Sequence, residues 1–297
     1  MRLRRRLLPC AVTLLLAATA GCGQGQGLDP GVQPTVVDPG PIHVHGLGVN
    51  PKDGALFIAT HTGLFRLATG ERDATRVADR YQDTMGFTVV GPDHFLGSGH
   101  PDRREGLPPF LGLIESRDGG ERWEPLSLLG AVDFHLLEAE GRRVYGYGSD
   151  FESRRTLMLM SDDGGRSWQE RSPPEPLASL APRPGEAGHL VASGGRRLHV
   201  SRDGARTWTQ VGDQAGLLAW PADDRLYLVS EDGSVRLSAD GGKTWRAVGG
   251  LGEAPTALTA SGARELYAAL YDGTIKRSTD GGATWELRSR PRASEAG

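Results

Sequence analysis

An octapeptide of one pattern occurs five times in the 297-residue chain, at a nearly constant spacing. Successive copies begin 45, 40, 37 and 40 residues apart. The copies are SRDGGERW (116–123), SDDGGRSW (161–168), SRDGARTW (201–208), SADGGKTW (238–245) and STDGGATW (278–285). A period near forty residues is typical of proteins that repeat one supersecondary unit, so this feature restricts the fold more than any other.

Each octapeptide has the residues of a tight turn between two strands. Its Asp carboxylate can accept backbone N–H groups of its own loop, and its glycine tolerates the positive φ that such a turn needs. The final tryptophan begins the next strand, where it can pack between neighbouring sheets. Between the octapeptides, apolar strands such as RLYLVS and ELYAAL alternate with short turns. The pattern predicts repeated units of four antiparallel strands.

The octapeptide resembles the Asp-box, or BNR repeat, of sialidases, sortilin-type receptors and photosystem II assembly factors, over residues 42–288. The resemblance implies an all-β propeller whose blades are four-stranded antiparallel sheets. Five blades carry an octapeptide, and residues 42–78 show the same strand order with a degenerate box, ATGERDAT. We therefore predict six blades; the alternative of seven needs a unit that we do not find. The box aspartates recur in five of the six units, which favours a structural role: Asp118, Asp163, Asp203, Asp240 and Asp280.

Residues 1–21 have the pattern of a signal peptide. Four arginines in MRLRRR precede an apolar stretch, and small residues lie before Cys22 in TAGC. This end resembles a bacterial lipobox, which implies a lipid on Cys22 that anchors the protein to the outer side of the cytoplasmic membrane. Ordinary signal-peptidase cleavage, which would give a secreted protein, is the alternative. We expect residues 22–41 to be a flexible tether and residues 289–297 a C-terminal tail.

Net charge restricts the partners of the protein, and cysteine content restricts how its fold can be stabilised. The formal net charge is −3, and removal of the four signal arginines makes it more negative, which argues against nucleic acid as a partner. The only cysteines are Cys10, in the signal, and Cys22, so the folded part contains no thiol. It must therefore be stabilised without disulfides. We expect a monomer, because closure of a propeller leaves few exposed sheet edges.

Five of the eight histidines fall at equivalent places in the first three blades. The first strands begin with HVHGL, DTMGF and VDFHLL, and the second strands of blades 1 and 2 end in ATHTG and GSGHPD. Residues two apart on a strand point to the same side. Because the loops before the first strand and after the second share one face of a propeller, these side chains should converge at one mouth of the channel. They are His43, His45, His61, His100 and His135, with Asp83, Met85 and Asp133.

This convergence favours a metal site, because imidazole with carboxylate or thioether neighbours suits zinc or copper. We expect Asp83 or Asp133 to complete the ligand shell or to orient a ring, and Met85 favours copper. Two other interpretations stay open: a ligand-binding mouth with histidine hydrogen-bond donors, and acid–base catalysis by histidine beside an aspartate. At the ends of their second strands, blades 4 to 6 read ASGG, SEDG and LYDG, so these histidines are confined to the first three blades.

The sequence gives little support to sialidase activity. The resemblance to sialidases would imply an arginine in a Phe/Tyr-Arg-Ile-Pro motif, and no Arg-Ile-Pro occurs in this chain. The chain also resembles bacterial lipoproteins labelled glycosylhydrolase, through HVHGLGVNPKDGALFIATHTGLF, DTMGF, SGHPD and VDFH. We therefore predict an exported lipoprotein that binds a metal ion or small ligand and is not an enzyme. The alternatives are a sialidase-like glycoside hydrolase and an extracytoplasmic scaffold for protein assembly.

Overall fold

The computed structural model describes Asp38 and residues 40–291. The predicted signal peptide, Cys22, most of the tether and most of the C-terminal tail lie outside these described residues. The described part consists of strands and turns, and in it no helix is long and apolar enough to cross a membrane.

In the described residues, twenty-four strands form six sheets of four, and in each sheet the strands lie side by side in chain order. Blade 1 contains β1 (Val44–Val49), β2 (Leu56–Thr60), β3 (Gly63–Leu67) and β4 (Thr75–Arg76); blade 2 contains β5 (Asp83–Gly91), β6 (His94–His100), β7 (Leu113–Ser116) and β8 (Glu124–Ser127). Blade 3 contains β9 (Val132–Glu140), β10 (Arg143–Asp150), β11 (Thr156–Ser161) and β12 (Gln169–Arg171); blade 4 contains β13 (Ser179–Pro182), β14 (Leu190–Ser193), β15 (Leu198–Ser201) and β16 (Thr209–Gly212). Blade 5 contains β17 (Leu217–Ala222), β18 (Arg225–Val229), β19 (Ser234–Ser238) and β20 (Arg246–Gly250); blade 6 contains β21 (Pro255–Ser261), β22 (Glu265–Leu270), β23 (Ile275–Ser278) and β24 (Glu286–Ser289).

The six sheets form a closed ring. The first strand of each blade contacts the first strands of both neighbouring blades, and β21 contacts β1. Blade 6 also bonds to blade 1 at the outside, where Ser289 Oγ donates to the Arg72 carbonyl at 2.8 Å. The prediction of an all-β, six-bladed propeller is confirmed.

Burial follows the position of each strand in its blade. Strands β2 and β14 are buried at every residue, because the inner strands of a blade are covered on both sides by neighbouring blades. The outermost strands are more exposed: β12 is exposed at two of its three residues and β16 at two of its four. Apolar clusters therefore lie between blades, and one of them includes Leu113 and Leu126 of blade 2 and Trp168 of blade 3.

The octapeptides form the turns between the third and fourth strands. In blade 5, Ser238 Oγ donates to Asp240 Oδ1 and accepts the Gly242 N–H, both at 2.8 Å, while Thr244 Oγ1 donates to Asp240 Oδ2 at 2.7 Å. Gly242 has a φ of 90° there. Burial opposes ionisation of Asp240, but the hydroxyl and N–H donors outweigh it and lower its pKa to about 2. The carboxylate is occupied by its own turn.

The antiparallel order of the strands defines two faces. We call the upper face the one formed by the loops that precede each first strand and those that join second to third strands. The lower face carries the loops between first and second strands and the octapeptide turns. The two faces are therefore built from different loops of each blade.

Candidate metal centre

A β-bulge at the start of the first strand aims the site side chains. In β1, Val44 and Gly46 pair with adjacent residues of β2, which leaves His45 without a partner. The same irregularity recurs in β5, β9 and β21 and leaves these residues unpaired: Met85, His135 and Thr256. A bulge bends its strand and redirects one side chain. All four side chains line the central channel, whose cavity of about 90 Å³ is bordered by residues of all six blades.

The second strand of blade 1 brings a further imidazole to the same mouth. His61 directly follows β2, in a turn held by the buried Thr60 hydroxyl. Thr60 Oγ1 donates to the Gly63 carbonyl at 2.9 Å and accepts the Thr62 N–H at 3.1 Å. Gly63 has a φ of 137°, which favours glycine. His100, the last residue of β6, reaches the same face from blade 2.

Three side chains converge closely enough to hold one metal ion. His45, His61 and Asp83 each offer a ligand atom, and these atoms all lie within 4.8 Å of one another. Asp83 Oδ1 lies 2.9 Å from His61 Nδ1 and 3.8 Å from His45 Nε2. Neither contact has hydrogen-bond geometry, and both His45 Nε2 and Asp83 Oδ1 are buried without a hydrogen-bond partner in the described part of the chain. Since a buried unpaired polar atom is costly, the arrangement points to a missing partner between them.

The protonation states suit metal binding. Burial, together with a smaller effect of the nearby His61 imidazole, lowers the pKa of His45 to about 4. His45 is therefore neutral at pH 7, the form that binds metals. Burial by itself raises the pKa of Asp83, but contacts with His100 and His61 outweigh it and the net pKa is lowered. Asp83 is therefore ionised at neutral pH.

A series of alternating carboxylates and imidazoles extends from this cluster toward blade 3. His100 Nδ1 bonds to Asp83 Oδ2 at 3.2 Å, while His100 Nε2 lies 3.7 Å from Asp133 Oδ2. His135 Nε2 bonds to the same Asp133 oxygen at 3.0 Å. The hydrogen bond to Asp83 raises the pKa of His100, and the bond to Asp133 raises that of His135. His100 and His135 thus lie beside the cluster, connected by Asp83 and Asp133, and are not among its three candidate ligands.

The remaining predicted residues lie at the margins. His43 is exposed at the edge of the mouth, with its ring centroid 5.7 Å from that of His61. Met85 lies in the channel wall, outside the group of three. Asp133 is buried, and its Oδ1 has no hydrogen-bond partner in the described region. The other three histidines contact glutamates elsewhere: His94 with Glu115, His189 with Glu186 and His199 with Glu175.

Sequence analysis did not single out two residues that the structure places at the mouth and in the channel. Tyr271 directly follows β22, as His61 follows β2; it is 75% exposed, and its ring centroid lies 5.7 Å from that of His43. The sequence did contain a signal for Tyr271, because aligning LYDG of blade 6 with ATHTG of blade 1 places Tyr271 at the position of His61. Glu138 lines the channel and has no side-chain partner among the described residues, and burial raises its pKa to about 8. On the sequence, Glu138 is indistinguishable from an ordinary outward-facing strand residue.

Comparison with known proteins supports the fold and not a family. No protein-family model and no curated protein matches the chain. Among solved structures, YCF48 from Cyanidioschyzon merolae is similar with a TM-score of 0.50 and 16% identity, over 84% of this chain and 85% of that chain. YCF48 bound to D1 peptide gives 0.51 and 16%, over 84% and 83%. An ancestral GH74 enzyme gives 0.55 and 12%, over 84% of this chain but 39% of the enzyme.

Proposed function

We propose that this protein binds a divalent transition metal ion at the channel mouth, through His45, His61 and Asp83. The observation that carries the proposal is the convergence of three ligand atoms within 4.8 Å, two of them buried and unpaired. Two imidazoles and one carboxylate form a nitrogen and oxygen donor set that suits zinc or copper(II). Three protein ligands leave a fourth coordination position for water or a bound molecule.

His100 is the positioning residue of this centre. Its hydrogen bond to Asp83 Oδ2 leaves Oδ1 directed toward His45 and His61. Partners of this kind fix the orientation of metal ligands and contribute strongly to affinity. His135 and Asp133 extend the same network to blade 3.

The role that follows is binding by an exported, membrane-anchored protein that acts as a monomer. The export and lipid anchor rest on the N-terminal sequence, and the binding role rests on a metal centre that opens onto the upper face. Catalysis of the sialidase type has no comparable support, since the arginine motif is missing from the sequence.

A protein partner is the second candidate. Four large apolar side chains are exposed in loops of the upper face: Tyr81, Leu129, Phe151 and Tyr271. Exposed apolar groups on one face are typical of interaction surfaces. One of the similarly folded structures is that of YCF48 bound to D1 peptide, a propeller with a peptide ligand.

Elemental analysis of the purified full-length protein tests the proposal. We expect about one zinc or copper ion per chain, as for a mononuclear centre. The His45→Ala variant should lose the ion, whereas His94→Gln, outside the cluster, should retain it. Equal metal content in the His45→Ala variant and the unmodified protein would show that the proposed ligands are wrong.

A further inference from the structure

A cavity lies in the upper face of blades 4 to 6, among the described residues. Its volume is about 650 Å³. We call it the hollow, and its walls include Gly194, Gly195, Ala215, Leu217, Val229 and Pro255. Pockets that bind small organic molecules have volumes of roughly 300 to 1,000 Å³ and mostly apolar walls. Size and lining therefore fit such a ligand.

In blades 4 and 5, small residues occupy the position that carries an imidazole in blade 1. The residue directly after the second strand is His61 in blade 1, but Gly194 in blade 4 and Ser230 in blade 5. Both Gly194 and Ser230 line the hollow. The upper face of blades 4 and 5 thus carries smaller side chains at this position than blade 1.

The hollow adjoins the channel. Ala178 and Leu217 line both cavities. A molecule in the hollow would thus lie beside the same channel mouth as the metal cluster, although none of the three proposed metal ligands lines the hollow.

The charged side chains that line the hollow are both acidic. They are Glu231 and Asp232, and no lysine, arginine or histidine lines it. Glu231 is exposed and forms no hydrogen bond or ion pair with the described residues, while Asp232 Oδ1 accepts the Ser234 N–H at 2.9 Å. That backbone bond lowers the pKa of Asp232, so the carboxylate is ionised at neutral pH. Arg196 and Arg197 lie in the adjoining turn but outside the lining.

We propose that the hollow is a second binding site, for a small organic molecule with an apolar body and a protonated amine. The apolar wall would bury the body, and Glu231 and Asp232 would accept hydrogen bonds from the ammonium group, which are stronger than those from a neutral donor. The site goes beyond the metal centre and does not depend on it.

A matched series of probes tests the ligand class on the full-length protein. 4-Phenylbutylammonium, 4-phenylbutanol and 4-phenylbutyrate share one apolar body and differ in the charge of the head group. Calorimetric titration should show the amine binding about 2- to 5-fold more tightly than the alcohol, the effect of one solvent-exposed ion pair, and the carboxylate binding most weakly. Equal affinity for all three, or preference for the carboxylate, would overturn the proposal.

Variants locate the site. A Cβ at Gly195 would meet no atom within 4 Å, and its φ is outside the left-handed region, so Gly195→Leu should fold and narrow the hollow. We expect it to weaken amine binding at least 10-fold, whereas the same change on the lower face, Gly91→Leu, should leave it unaltered. If Gly195→Leu unfolds at a lower temperature than the unmodified protein, Ala215→Phe is a second variant that should fill the hollow.

Two further variants separate the charge from the volume and the hollow from the metal. Glu231→Gln combined with Asp232→Asn should remove the 2- to 5-fold preference for the amine and leave alcohol binding unchanged. His45→Ala should leave amine binding unchanged even if metal is lost. Amine binding that persists in both hollow-filling variants, or that disappears in His45→Ala, would place the amine elsewhere and refute the proposal.

Discussion

Blades 1 to 3 and blades 4 to 6 have the same strand order but different upper faces. In the first half, imidazoles and carboxylates meet at the channel mouth; in the second half, the residues after the second strands of blades 4 and 5 are Gly194 and Ser230, and a hollow lies there. Both halves bury the same kind of apolar residues between blades. The fold thus depends on residues between the blades and in the lower turns, which leaves the upper positions free to differ in function.

The largest expected effect comes from making the first half resemble the second. The double variant His45→Ala and His61→Ala should weaken zinc affinity by more than about 100-fold, because loss of a supporting residue alone typically costs 10- to 100-fold. Competition with a chelator of known affinity measures this change. An affinity within a few-fold of the unmodified protein would remove the distinction between the halves.

Loss of the positioning residue should have a smaller effect. We expect His100→Gln to weaken zinc affinity about 10-fold, since Asp83 would lose the partner that holds its other oxygen. His94→Gln is the matched control, because His94 begins the same strand but bonds to Glu115. If both variants bind zinc equally well, His100 does not act on the centre.

We expect Glu138 to make the stability of the fold depend on pH. Its folded-state pKa of about 8 exceeds the ordinary value of 4.5, so the folded protein binds the proton more tightly and stability should fall as pH rises from about 4.5 through 8. Glu138→Gln should remove this dependence and raise the free energy of unfolding at pH 8.5 by a few kcal/mol, since one pKa unit corresponds to about 1.4 kcal/mol. Denaturant unfolding at pH 5 and pH 8.5 checks it; identical pH profiles would contradict the burial argument.

The smallest expected effect comes from a change in the second half of the ring, blades 4 to 6. Ser230→His introduces an imidazole at the blade 5 position equivalent to His61, but β17 lacks the bulge that aims His45 in β1. We therefore expect no additional metal ion per chain in elemental analysis. A second equivalent would mean that an imidazole at this position suffices without the bulge and the aspartate.

The fold was predictable from sequence because its signals are local and repeated. The octapeptides mark the turns, and the alternation of apolar residues marks the strands, so repeated four-stranded units follow from the pattern. The resemblance to Asp-box proteins implied their arrangement as blades of a propeller. The face on which the histidines lie also followed, because His43 and His61 occupy loop positions fixed by the topology.

The details of the site did not follow from sequence. The bulge at His45 depends on strand register, and the pairing of Asp83 with His100 depends on the distance between blades. The hollow borders small residues such as Gly195 and Ala215, and a sequence pattern records residues rather than the space between them. Similarly, Glu138 becomes unusual only when the ring closes around it.

X-ray absorption at the edge of the bound metal, in the full-length protein and in His45→Ala, examines the ligand set itself. We predict a first shell of imidazole nitrogens and carboxylate oxygen at about 2.0 to 2.2 Å, with the imidazole signal of two rings reduced to one, or the metal lost, in His45→Ala. A first shell that contains sulfur, or that lacks imidazole, or that is identical in the two proteins, would contradict a centre formed by His45, His61 and Asp83.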